Sequence, residues 1–139
     1  MPSDWGRNLI RHEYREANGR ADRLTHIARL GNTYTNESFR LSPYDIAVRY
    51  PACYRAMFDG GVSAEGVGCG FWIQVGLLPL RDEYVGTADS QRLVWRDVCE
   101  ACFCIDPTST VTDAELSAVE NCLHAVERVV EFHRRTYFT

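Results

Sequence analysis

The sequence predicts an α/β domain in which a meander of strands is covered by helices. Three observations lead there. Cys53–Phe58, Gly68–Val75 and the longer Leu93–Ile105 are strand-like runs separated by turn-rich stretches, and strands joined this way pair antiparallel. Leu116, Val119, Leu123, Val126 and Val130 recur at helical spacing after the last of them, giving an amphipathic helix able to cover one sheet face. Ala21, Leu24, Ile27 and Ala28 recur in the same way ahead of the meander. A chain of 139 residues with 45% apolar side chains can bury a core of its own, so global disorder is excluded.

Taken in order, Asn8–Arg15 reads as a strand and Asn18 as the N-cap of a helix over residues 19–30, with Gly31 placed to end it. Asn32–Pro43 is polar and turn-rich, and Asp45–Tyr50 reads as a short strand stopped by Pro51. The Cys53–Phe58 strand runs into Asp59-Gly60-Gly61. Gly68 and Gly70 in the next strand mark a bulge or a close backbone approach. Leu77–Gln91 reads as a loop. Thr112 and Glu115 have the spacing of a capping box at the start of the long helix. The organisation expected is a strand–helix segment over 1–31, a linker over 32–52, and the meander with its helix over 53–139, together one domain.

The net charge of −4 argues against a strongly basic nucleic-acid footprint. It is unevenly spread: residues 1–50 hold 8 Arg against 6 acids, residues 51–139 hold 7 Arg against 13 acids, and there is no Lys. No apolar run reaches the roughly 18 to 20 residues of a membrane span, and Met1–Gly6 has no secretory pattern, so an intracellular protein with no membrane partner is expected. The six cysteines are then expected to be reduced. Cys99, Cys102 and Cys104 suggest zinc, but on a strand Cys99 points away from the other two, so no zinc site is expected. Trp72 and Trp95 are read as core. No role falls to His12, His26, His124 or His133.

Three acids stand out by position: Asp59 at a strand end, and Asp22 and Glu115 in the first turns of helices. Oxygen ligands placed in this way suit magnesium or manganese. Each also has a plain structural role available: a turn with Gly60, a favourable dipole interaction, and a capping box with Thr112.

Residues 8–30, with Arg15, Asn18, Ala21 and Asp22, resemble the last strand and helix of the ribonuclease H family. Residues 54–75 resemble its first two strands, with Asp-Gly and then a glycine-rich hairpin. Residues 111–126 resemble its first helix. The form is most similar to the domains attached to retroelement reverse transcriptases. The resemblance implies a ribonuclease H-like mixed sheet in circularly permuted order, or a junction of two copies, lacking the family's fourth strand and that strand's acid. It implies cleavage of the RNA strand of RNA/DNA hybrids, with Asp59, Glu115 and Asp22 as catalytic metal ligands for Mg2+ or Mn2+. The alternative is a catalytically inactive module that binds nucleic acid or protein. A sheet missing a strand is expected to pair Cys53–Phe58 with Leu9–Arg15, with Ile46–Tyr50, or with a second copy in a homodimer.

Overall fold

A computed structural model describes residues 18–80 and 93–138. In chain order the elements are α1 (Gly19–Arg29), β1 (Tyr34–Glu37), α2 (Pro43–Val48), β2 (Arg49–Ser63), β3 (Gly66–Pro79), β4 (Val94–Cys104) and α3 (Val111–Tyr137). The strands form one sheet in the order β1-β4-β3-β2, and all three pairings are antiparallel. The domain is mixed α/β, and the β2–β3–β4 meander is the one read from the sequence. No parallel pairing occurs among the described residues.

β3 is the centre of the structure, and its two sets of alternate residues serve different helices. Phe71, Ile73, Val75 and Leu77 face one way and join Cys122, Ala125 and Val129 of α3 in the main core. Burying each of these larger side chains is worth about 1.5–3 kcal/mol. Gly68 and Gly70 face the other way, where any side chain would strike α1: a β-carbon would lie 2.8 Å from the Arg29 amide at Gly68, and 2.9 Å from the Thr25 amide at Gly70. The close approach read from these glycines is therefore that of a helix. Leu24, Ala28 and Cys102 make a second, smaller cluster there, with Ile27 and Trp72 against it.

Several local expectations need correction. The 32–52 stretch is not a plain linker. It holds β1, which pairs Tyr34 with Cys102 and Glu37 with Cys99, and it holds α2. Asp45–Tyr50 is not a strand. Ser42 caps α2 by accepting from the Asp45 amide, with Pro43 in the first turn, and this start signal outweighs the apolar run Ile46-Ala47-Val48. Arg49 and Tyr50 instead begin β2, and Leu77–Pro79 extend β3. The expected Asn8–Arg15 strand lies outside the described residues, as does most of the Leu77–Gln91 loop.

The face that α3 buries also differs from the predicted stripe. Ala114, Ala118, Cys122, Ala125, Val129 and His133 are buried, whereas Leu116 is 61% exposed and Leu123 38%. Small residues win because they let the helix lie close on the sheet. The capping box lies two residues earlier than expected: Thr110 accepts from the Asp113 amide at 3.1 Å, and Asp113 accepts from the Thr110 amide at 2.9 Å. Gly31 ends α1 as expected, at a φ of 97° that favours glycine. Trp72 and Trp95 are only half-buried; Arg20 lies over the first ring at 4.7 Å and Arg55 over the second at 4.0 Å. No helix among the described residues is long and apolar enough to cross a membrane.

Candidate functional site

The site is built where β2 passes between α1 and α3. Asp59 on β2 pairs across the sheet with Gly70, so the missing side chain at Gly70 is what lets α1 descend beside Asp59. Thr25 of α1 then reaches the strand, its hydroxyl lying 2.8 Å from the Ala21 carbonyl and 3.0 Å from the Asp59 carbonyl. Asp22, one turn earlier on α1, stands next to the Asp59 side chain. Burial raises the pKa of Asp59 above the ordinary carboxylate range, and the neighbouring Asp22 charge raises it further, against opposing hydrogen bonds from the Gly60 amide and Thr25. Two carboxylates held this close repel unless a proton or a cation lies between them.

Gly60 points to the other face, where a β-carbon would strike the Ala114 carbonyl and lie 2.7 Å from the Glu115 amide. The first turn of α3 is thus pressed onto the strand next to Asp59. The Glu115 side chain itself is exposed. The structure therefore brings Asp22 and Asp59 together and places Glu115 on the helix that touches the adjacent residue, but no group of three acidic, histidine or cysteine ligands forms among the described residues. Glu115 has no part in the capping box, which belongs to Asp113.

Asn18 is a feature of this site that capping logic missed. It occupies the N-cap position of α1 without capping it; instead its amide nitrogen donates to the Phe58 carbonyl at 3.1 Å, one residue from Asp59. Its side-chain oxygen is buried and has no hydrogen-bond partner among the described residues. A buried orphan oxygen costs free energy unless something satisfies it. Asn18 sits at the start of the helix that carries Asp22 and is bonded to the residue before Asp59; carboxylate and amide oxygens are the hard donors a magnesium or manganese ion takes. The sequence signal was the spacing Asn18–Asp22, which puts both on one helical face.

The cysteines divide as the strand alternation predicted, with Cys99 in the main core and Cys102 beneath α1. Burial raises the pKa of both thiols, Cys99 to about 11. His26 and His124 are exposed, His12 lies outside the described residues, and His133 is fully buried.

No family profile matches the chain, and neither a curated protein nor a solved structure matches it.

Proposed function

We propose that this chain is a ribonuclease H-like nuclease, in permuted order, that hydrolyses the RNA strand of RNA/DNA hybrids. The observation that supports this most is the juxtaposition of Asp22 and Asp59, with Asn18 bonded to the neighbouring Phe58 carbonyl. These are groups from the two segments that resemble the family's last helix and first strand. In this reading Asp22 and Asp59 hold a divalent cation, Mg2+ or Mn2+, and Glu115 turns in from the first turn of α3 to complete the site. The ion supplies activation of water and stabilisation of the leaving oxygen. The chain's own part is to hold the two carboxylates in register. The Thr25 hydroxyl and the Gly60 amide fix Asp59, and the glycines of β3 fix the height of α1. An intracellular site of action, cytoplasmic or nuclear, goes with this reading.

The second reading is a catalytically inactive module that binds nucleic acid or protein. It is favoured by the exposed position of Glu115 and by the absence, among the described residues, of a third acidic, histidine or cysteine ligand beside the acid pair. Incubating a labelled hybrid with the full chain, with and without magnesium, decides between them. Magnesium-dependent cleavage that Asp59→Asn abolishes supports the nuclease. Retention of the hybrid in a mobility shift without cleavage supports the module.

A further inference from the structure

Three glycines clear a path for one arginine. Arg29 ends α1 with its backbone against β3: a β-carbon would lie 2.9 Å from the Arg29 carbonyl at Gly66 and 2.8 Å from the Arg29 amide at Gly68. Its side chain then crosses to β2. There a β-carbon at Gly61, the cross-strand partner of Gly68, would lie 2.7 Å from Nη1 and 3.6 Å from the Thr25 methyl. Thr25 makes the same crossing one turn earlier, over Gly70 to the Asp59 carbonyl at 3.0 Å. Asp22, Thr25 and Arg29 share one face of α1 at i, i+3 and i+7, while Asp59 and Gly61 share one face of β2. The guanidinium is thus seated about 7 Å along the strand from Asp59, on the side of the sheet that holds the acid pair.

The charge of Arg29 is not neutralised where it sits. Nε is buried and has no hydrogen-bond partner among the described residues, and Nη2 reaches the exposed His26 ring at Nδ1, at a long 3.4 Å. No carboxylate pairs with Arg29 among the described residues, whereas Arg20, Arg49, Arg96 and Arg128 each have one. The exposed Glu65 stands within range of its charge but accepts instead from the Ser63 hydroxyl at 2.6 Å. A cation packed on backbone without a counter-ion is costly until an anion arrives. Phosphate is the anion whose oxygens a guanidinium matches best in geometry and charge. We propose that Arg29 is a phosphate clamp for the RNA/DNA hybrid, holding the backbone phosphate one step along the strand from the one that lies at Asp22 and Asp59. What happens at the acid pair rests on the nuclease reading; the clamp itself needs only the hybrid. Its work is register. With one phosphate held over Gly61, the next is led to the acids, whose repulsion of a polyanion the guanidinium offsets.

The test reads binding apart from cleavage, by fluorescence anisotropy of a labelled hybrid with the full chain in EDTA. Arg29→Gln should weaken binding by about fivefold or more and lower the slope of log affinity against log salt by about one, the signature of one lost phosphate contact. Arg29→Lys keeps the charge without the planar fork, so it should restore the slope and part of the affinity. Arg128→Gln removes the same charge from α3, where it pairs with Glu37, and should leave both near the wild type. If Arg29→Gln does not fold, the guanidinium NMR signals of Arg29 in the wild type decide: the hybrid should shift them, and unmoved signals would overturn the clamp. An Arg29→Gln chain that matches the wild type in affinity and slope, or a loss that Arg128→Gln reproduces, would also overturn it, even if the wild type cleaves. A wild type that binds the hybrid through Arg29 but does not cleave it with magnesium would overturn the nuclease reading and support the clamp. A wild type that binds no hybrid would end both.

Discussion

Gly60 of β2 lies directly against the backbone of Ala114, so the first turn of α3 and the strand bearing Asp59 meet with no side chain between them. What would be struck by a β-carbon here is main chain on a well-packed helix, not the end of a flexible side chain. Gly60→Ala should therefore cost about 1–3 kcal/mol, toward the upper end, because one element must be displaced. Denaturant melts check this. Gly19, with open space around it, serves as the control, and a Gly60→Ala loss no greater than that of Gly19→Ala would contradict the geometry.

Asp59→Asn should separate catalysis from stability. It removes one of two mutually repelling carboxylates, so the folded state should be unharmed or slightly stabilised, while magnesium-dependent hybrid cleavage should fall by about a hundredfold or more. Magnesium should raise the melting temperature of the wild type and leave that of the variant unmoved. Cleavage by the variant at the wild-type rate would remove the acid pair from the mechanism.

Glu115 and Asp113 should now behave in opposite ways. Asp113→Ala breaks the capping box and should cost about 1 kcal/mol without affecting any metal response. Glu115→Gln should leave stability unchanged. If it also leaves hybrid cleavage unchanged, Glu115 has no catalytic role.

His133 gives the fold a defined acid sensitivity. Its Nε2 lies 2.6 Å from the Phe39 carbonyl, which can only accept, so Nε2 bears the proton and Nδ1 accepts from the Tyr54 hydroxyl at 2.7 Å. Burial lowers its pKa below the ordinary 6.5, against the Phe39 hydrogen bond, which raises it. A histidine held neutral in the fold contributes stability that is complete above the unfolded value and lost as pH falls from about 6.5 toward the folded value. Unfolding free energy should thus decline over that interval, and His133→Gln should flatten the decline. An unchanged slope in the variant would assign the effect elsewhere.

Asp45 should act at lower pH. It is 3% exposed and accepts from Arg49 and Arg96, both at 3.0 Å. Burial alone would raise its pKa, but the Arg96 hydrogen bond and charge, with Ser42 and Arg49, bring it below 3.8. Its contribution is present above the unfolded value and disappears as pH falls through the folded one. Asp45→Asn should cost about 2 kcal/mol at neutral pH, by the same denaturant melts, and less as the medium becomes acidic.

How far the sequence disclosed this structure depended on the range of each interaction. α1 and the meander were legible because periodicity, Asn18 and the Asp-Gly and Gly-x-Gly signals are local. α2 was not, because Ile46-Ala47-Val48 is apolar enough for a strand and only the Ser42–Pro43 start and the ion pairs of Asp45 decide otherwise. β1, with Tyr34 to Glu37 all exposed, has no burial pattern to read, and its pairing with β4 is non-local. The buried face of α3 was misread because size was taken for depth: Leu116 lies outward, whereas Ala118 and Ala125 lie against the sheet. At the site, the neighbourhood of Asp22 and Asp59 followed from resemblance alone. The role of Asn18 needed the position of Phe58, forty residues away.

The glycines at 68 and 70 have a consequence for the order in which this protein comes apart. They leave α1 seated on a small cluster of Leu24, Ala28 and Cys102, distinct from the larger core under α3. A helix of eleven residues held by so little apolar contact is the natural first unit to detach, while the sheet and α3 remain intact. Because Asp22 travels with α1 and Asp59 stays with the sheet, the acid pair would be dismantled at that first step. Inactivation by heat should therefore precede the loss of strand signal in circular dichroism, and Trp72, with Arg20 over its ring, would report the detachment by its fluorescence.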